Sequence, residues 1–235
     1  MHLLRNNWQY LRLYDCGPHA QIVLDVIERE KLPFKVMLGA DIGAEMNNPD
    51  CPWGAEYSAE QLDINRKDNE RQIDALVSMA NRYPDSVCCV SIGNEASVDW
   101  TDHLVPVDRL IRFARTVKAN VSQPVTFCEN YVPWQGKLKP LASELDVISI
   151  HSYPIWEYQS IDAAMHYTAI NYHSVKQHYP DKPVIITEAG WTTRSNGSGI
   201  DIENASPKLQ ARYCKQLMEW SQNNKILTFV FEAFD

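Results

Sequence analysis

Short runs rich in Val, Ile and Phe recur along the chain, separated by longer stretches whose apolar positions return every three or four residues. The runs are YLRLYD (10–15), FKVMLGAD (34–41), VCCVSIGNE (87–95), PVTFCEN (124–130), DVISIHSY (146–153), PVIITEAG (183–190) and LTFVFEAF (227–234). Each has the length and composition of a strand, so seven strands are predicted. Residues 19–30, 63–82, 107–121, 161–178 and 207–223 carry helical periodicity. Ser206-Pro207 opens the last of these with a capping residue followed by proline in the first turn. Strand and helix alternate, which is the order of βαβ units around a parallel sheet. Between the second run and the next helical stretch, Ile42 to Leu62 reads as a long loop carrying Trp53 and Tyr57. It is either a wall of a site or an ordinary packed surface loop.

Parallel strands are covered on both faces, so a polar residue inside such a run has to point somewhere polar. Alternation with a period of two places Ser91, Gly93 and Glu95 on one side of the third run, opposite Val90 and Ile92. In the fifth run it sets Ser149, His151 and Tyr153 against Ile148 and Ile150. The same rule groups Arg12 with Tyr14, Asp41 with Gly39, Asn130 with Cys128, Glu188 with Ile186, and Glu232 with Phe234. Every run therefore gathers polar residues near its C-terminal end, the end at which parallel α/β folds build their sites.

A (β/α)8 TIM barrel is the architecture predicted, as a single domain over residues 1–235. A doubly wound open sheet would show a glycine-rich phosphate turn after an early strand, and the first run is followed instead by DCGPHAQ. With seven recognisable strands, and a strand at each end, the barrel is expected to be incomplete, lacking its first strand and last helix. Unpaired edges at Arg12 and Phe229 then predict self-association and weak stability and activity of the isolated chain.

Composition narrows the classes. Lys and Arg number 22 against 30 Asp and Glu, a net charge of −8, and no basic stripe is interleaved with aromatics. Nucleic acid is excluded as a partner on that ground. No apolar stretch reaches the roughly 18 residues of a membrane span, and the first nine residues lack a signal-peptide core. The six cysteines form no CxxC pair and no cluster with histidine at zinc spacing, and Cys88, Cys89 and Cys128 lie in apolar runs as reduced core residues. His166, His173 and His178 are seven and five residues apart, which does not make the i, i+4 pair of a helical zinc site. No metal or cofactor is expected. The sequons at Asn120, Asn196 and Asn204 do not fix the compartment.

Glu95 and Glu188 end two different runs, and neither has a Lys or Arg beside it in sequence. Two carboxylates of this kind suit glycoside hydrolysis, in which one carboxylic acid protonates the leaving oxygen and one carboxylate attacks or activates water. GNEA and TEAG lack the clustered acids and histidines of a metal site.

Taken in order, RLYD, SIGNEASVDW, ISIHSYP, VIITEAGW and FVFEAFD resemble glycoside hydrolase family 17, a group of retaining (β/α)8 glycosidases, and within it the laminarinase-like branch. The resemblance implies Glu95 as acid/base, Glu188 as nucleophile, Asn94 on the sugar 2-hydroxyl and Tyr153 holding the nucleophile. It places Arg12 and Tyr14 near the same subsite, with Asp41, Asn130, His151 and Glu232 as further strand-end groups. Trp191, Trp134 and Trp156 are expected as stacking platforms for glucose rings. The implied substrate is a β-1,3-glucan polysaccharide or oligosaccharide, which points to action outside the cytoplasm. The family pattern continues beyond FEAFD with an acidic residue and a lysine. Two other readings stand beside the hydrolase: a β-1,3-glucanosyltransferase using the same residues, and a non-catalytic glucan-binding or vestigial fragment.

Overall fold

The computed structural model describes residues 1, 3–195, 197 and 199–233. Asn196 of the second sequon, Phe234 and Asp235 lie outside the described residues. The chain divides into two compact units, Met1–Glu129 with Gly136–Ile148, and Asn130–Gln135 with Ser149–Asp235.

The first unit opens with strand β1 (Tyr10–Leu13), helix α1 (Pro18–Glu30), strand β2 (Lys35–Gly39) and helix α2 (Ala59–Arg82). Strand β3 (Val87–Asn94), helix α3 (Val107–Lys118), strand β4 (Val125–Asn130, ending on the first residue of the second unit) and the short helix α4 (Lys139–Ala142) follow. Parallel pairing joins β1 to β2, β2 to β3 and β3 to β4. Val36, Leu38, Val90, Ile92 and Phe127 are almost fully enclosed, and Leu24, Ile27, Ile73, Leu76, Leu110, Phe113 and Val117 supply the buried faces of α1, α2 and α3. That is the pattern expected when helices cover a parallel sheet.

The second unit carries strand β5 (Ile148–His151, whose first residue belongs to the first unit), helix α5 (Ile161–His178), strand β6 (Val184–Ala189), helix α6 (Pro207–Asn224) and strand β7 (Thr228–Val230). β6 and β7 pair in parallel. The Ser206 hydroxyl accepts the Leu209 N–H at 3.2 Å with Pro207 in the first turn, so the cap expected from sequence is formed. Ser58 and Ser160 cap α2 and α5 in the same way. His166, His173 and His178 are exposed on α5.

Among the described residues the sheet holds seven strands in chain order, β1 to β7. The fold is of the TIM-barrel (β/α) type, with seven strands where the complete barrel has eight.

Among the described residues β3 and β6 depart from simple alternation, β3 first against β2, where Val36 and Met37 pair with Val87 and Cys89. Ser91 pairs with Thr126 but Asn94 with Cys128, so β3 spends three steps where β4 spends two. Ile186 pairs with Thr228 and Ala189 with Val230, an identical surplus in β6. Each is a bulge of one residue, which bends a strand and re-aims the side chains after it. The grouping of Ser91, Gly93 and Glu95 on one face is corrected accordingly: Asn94 occupies the register place that unbroken alternation gives to Gly93. The Ser91 hydroxyl donates to the Gly93 carbonyl at 2.7 Å inside the bulge. The grouping of Glu188 with Ile186 is interrupted for the same reason.

Candidate active site

In the first unit the end of β3 is held from several directions. Arg12, on β1, donates through Nη2 to Asn94 Oδ1, and its guanidinium lies 4.2 Å from the centre of the Tyr14 ring. Three residues expected at one subsite, Arg12, Tyr14 and Asn94, are thus brought together. Gly93 allows Ile42 of the loop after β2 to seat against β3, because a Cβ at that position would fall 2.5 Å from Ile42 Cδ1. Glu95 then leaves the strand with φ +45°, in the left-handed region that a non-glycine residue adopts at a cost of about 1–2 kcal/mol. Its N–H donates to the Cys128 carbonyl at 2.9 Å. Asp41 is exposed just past β2.

In the second unit the second carboxylate is gripped by its neighbours. The Tyr153 hydroxyl donates to Glu188 Oε2 at 2.7 Å, and His151 Nε2 lies 3.7 Å from Glu188 Oε1. The Glu188 carbonyl accepts the Ser152 N–H at 3.0 Å, tying the end of β6 to the residues after β5. Both His151 and Glu188 are buried. Gly190 permits the chain just past β7 to close in: a Cβ there would meet the Phe231 carbonyl oxygen at 2.3 Å. Asn130 turns the chain after β4 by accepting the Val132 N–H at 2.9 Å, and Glu232 is exposed beyond β7.

The three tryptophans part company. Trp134, expected to stack on sugar, is 0% exposed and donates its indole N–H to the Ser149 carbonyl at 3.0 Å. That expectation is corrected, since a ring enclosed in the core has no face for a ligand. Trp191 is also buried, packed 5.5 Å from the Tyr213 ring with its N–H on the Asn204 carbonyl. It props the loop after β6 rather than presenting a face. Trp156 is 50% exposed.

A family model for the BtgE/BtgC glycoside hydrolase domain matches residues 1–235. The chain belongs to this family. Among curated proteins none matches it in sequence. Among solved structures it is similar to an endo-laminarinase from Formosa Hel1_33_131, at 24% identity and TM-score 0.80, over 99% of this chain and 70% of that one. It is also similar to a glycoside hydrolase family 17 β-1,3-glucanosyltransferase from Rhizomucor miehei, at 20% identity and TM-score 0.77, over 100% and 79%. An active-site mutant of that enzyme in complex with laminaritriose matches at 21% identity and TM-score 0.78, again over 100% and 79%.

Two residues of this glycoside hydrolase domain escaped the sequence reading. Glu129 is fully buried, and its Oε2 accepts both the N–H and the hydroxyl of Ser97, at 2.9 and 2.7 Å. It fixes the chain two residues beyond Glu95. An acid inside the apolar run TFCEN was the available signal, passed over because alternation favoured Asn130. His103 reaches back nine residues, its Nε2 lying 2.9 Å from the Asn94 carbonyl. Nothing in DHLV marks it, because only the return of the loop brings it near β3.

The loops after β2 and β3 brace one another. Asn48 donates to the Asp99 and Thr101 carbonyls at 2.9 and 2.7 Å, and the Tyr57 hydroxyl to the Asp102 carbonyl at 2.7 Å. Arg109 clasps buried Glu45 through two bonds, at 2.6 and 3.0 Å, and Asn69 donates to the same carboxylate at 3.0 Å. Trp53 and Trp100 remain exposed on these two loops. In the second unit, Tyr158, 81% exposed, and residues 199–204 line an open cleft of about 970 Å³.

Proposed function

We propose that residues 1–235 act as one catalytic domain, a retaining glycosidase of the family 17 kind that cleaves β-1,3-linked glucans. Glu188 is the nucleophile and Glu95 the acid/base. Glu188 attacks the anomeric carbon while Glu95 gives its proton to the departing glycosidic oxygen. Glu95 then takes a proton from a water molecule that attacks the same carbon and releases Glu188. Asn94, with Arg12 on its amide oxygen, would meet the sugar 2-hydroxyl, and Tyr14, Asp41, Asn130, His151, Trp156 and Glu232 would shape the surrounding subsites.

The observation that carries the assignment is the Tyr153 hydroxyl on Glu188 Oε2, because a nucleophilic carboxylate needs its rotation fixed toward the carbon it attacks. Exposed Trp53, Trp100, Trp156 and Tyr158 supply apolar faces of the kind that glucose rings stack on, consistent with a polymeric substrate.

The likeness to the Rhizomucor miehei glucanosyltransferase supports a second reading, in which a sugar hydroxyl replaces water in the second step. Product analysis on laminarin oligosaccharides separates the two, since transfer yields chains longer than the substrate. The roles are tested with an activated β-laminarioside in the presence of azide. Glu95→Ala is expected to yield the β-glycosyl azide and Glu188→Ala the α-glycosyl azide, each with hydrolysis of laminarin down by at least about a thousandfold. Folded Glu188→Gln protein that still turns over laminarin at the parent rate would overturn the assignment, and so would a complete lack of turnover by the parent protein.

A further inference from the structure

The peptide joining Asn94 to Glu95 is anchored at both of its polar ends. Its N–H donates to the Cys128 carbonyl at 2.9 Å, and its carbonyl faces His103 Nε2 at 2.9 Å. A carbonyl oxygen only accepts, so Nε2 carries a proton in this contact. The other ring nitrogen lies 2.7 Å from Asp102 Oδ1 and 3.1 Å from Thr101 Oγ1. Those neighbours orient the imidazole from behind, and they are themselves tied down by Asn48 and Tyr57 through the Thr101 and Asp102 carbonyls.

From this geometry we infer that His103 is a positioning residue for the acid/base: it clamps the Asn94–Glu95 peptide plane and so keeps Glu95 in its left-handed conformation. Two preferences compete at this peptide. A glutamate at φ +45° is strained, and rotating the peptide would relieve the strain and swing the carboxyl away. Two hydrogen bonds on opposite edges of the plane oppose that rotation. One comes from the backbone of β4 and survives most substitutions. The other comes from a single side chain, 34% exposed, so water can replace it without leaving a buried carbonyl unpaired. Removing the imidazole should therefore loosen Glu95 without unfolding the unit.

This inference rests on the reading of Glu95 as acid/base, and the experiment separates the two. Initial rates are measured on phenyl and 2,4-dinitrophenyl β-laminariosides with azide present, so that azide replaces the second step. Protonation of the leaving oxygen then matters only for phenol. His103→Ala is expected to lower kcat on the phenyl substrate by about ten- to a hundredfold, with KM within about twofold and the dinitrophenyl rate nearly unchanged. His103→Gln, whose amide N–H can reach the same carbonyl, should recover most of the loss. Should His103→Ala fail to fold, His103→Asn, too short to reach, takes its place. Equal losses on both substrates, parent-like rates, or no recovery by His103→Gln would each overturn the clamp. If Glu95→Ala itself spares the phenyl substrate, the acid/base assignment is what falls.

Discussion

Tyr153 makes the most direct test at the scale of one residue. Its hydroxyl donates to Glu188 at 2.7 Å, and a hydrogen bond to a charged group contributes about 1.5–3 kcal/mol. Tyr153→Phe should lower kcat/KM on laminarin by about ten- to a hundredfold while the melting temperature stays close to the parent's. A loss of stability with unchanged turnover would reduce Tyr153 to a packing residue. Trp156, half exposed, should behave differently: Trp156→Ala is expected to raise KM for long glucans by several-fold and to leave short activated substrates nearly unaffected. Sequence reading grouped Tyr153 and Glu188 through their motifs and the structure joins them. It also grouped Trp134 with Trp156, and there it failed. Residue type announces that an indole must be placed, whereas exposure depends on what packs over it, and Trp134 ends fully buried with its N–H on the Ser149 carbonyl.

At the scale of elements, strands and helices were legible because their periods repeat within the element itself. Helix α5 runs over the residues expected, and β3 and β4 differ from expectation by a residue at one end. The bulges in β3 and β6 were not legible, since a register exists only between two strands and neither strand alone records its partner's pace. Glycine at position 93 is the local trace of one bulge. Gly93→Ala would push a methyl group into Ile42 and is expected to destabilise the protein by about 1–3 kcal/mol, read as a lower urea midpoint, with a larger fall in activity as the loop after β2 shifts. The pair Glu45 and Arg109 makes a sharper prediction. Glu45 is buried, and stripping away its partner with Arg109→Met leaves a carboxylate enclosed, at a cost of about 3–5 kcal/mol. Adding Glu45→Gln to Arg109→Met should recover part of that loss, which a double-mutant cycle in urea would measure.

At the scale of the whole molecule, stability is coupled to pH through carboxylates that have no part in the proposed reaction. Asp25 is held below its ordinary value by the Tyr83 hydroxyl foremost and by Gln21, and Glu144 is held low chiefly by the Arg115 guanidinium. A carboxyl group with a lowered folded pKa stabilises above its unfolded value and loses that contribution as pH falls through the folded one. The window here opens near the ordinary values of 3.8 and 4.5 and extends below them. The double variant Tyr83→Phe with Arg115→Met should therefore lose less of its urea midpoint between pH 5 and pH 3 than the parent does, with the Glu144 part of the effect reduced in high salt because its partner Arg115 is exposed. The left-handed glutamate has a consequence of another kind. If Glu95 is the acid/base proposed above, a protein that tolerates strain there has set function against robustness. Asparagine accepts that backbone region more readily than glutamate does. Glu95→Asn should accordingly yield a dead protein that melts no lower than the living one, and calorimetry on the pair would read out what the fold gives up to keep an acid there.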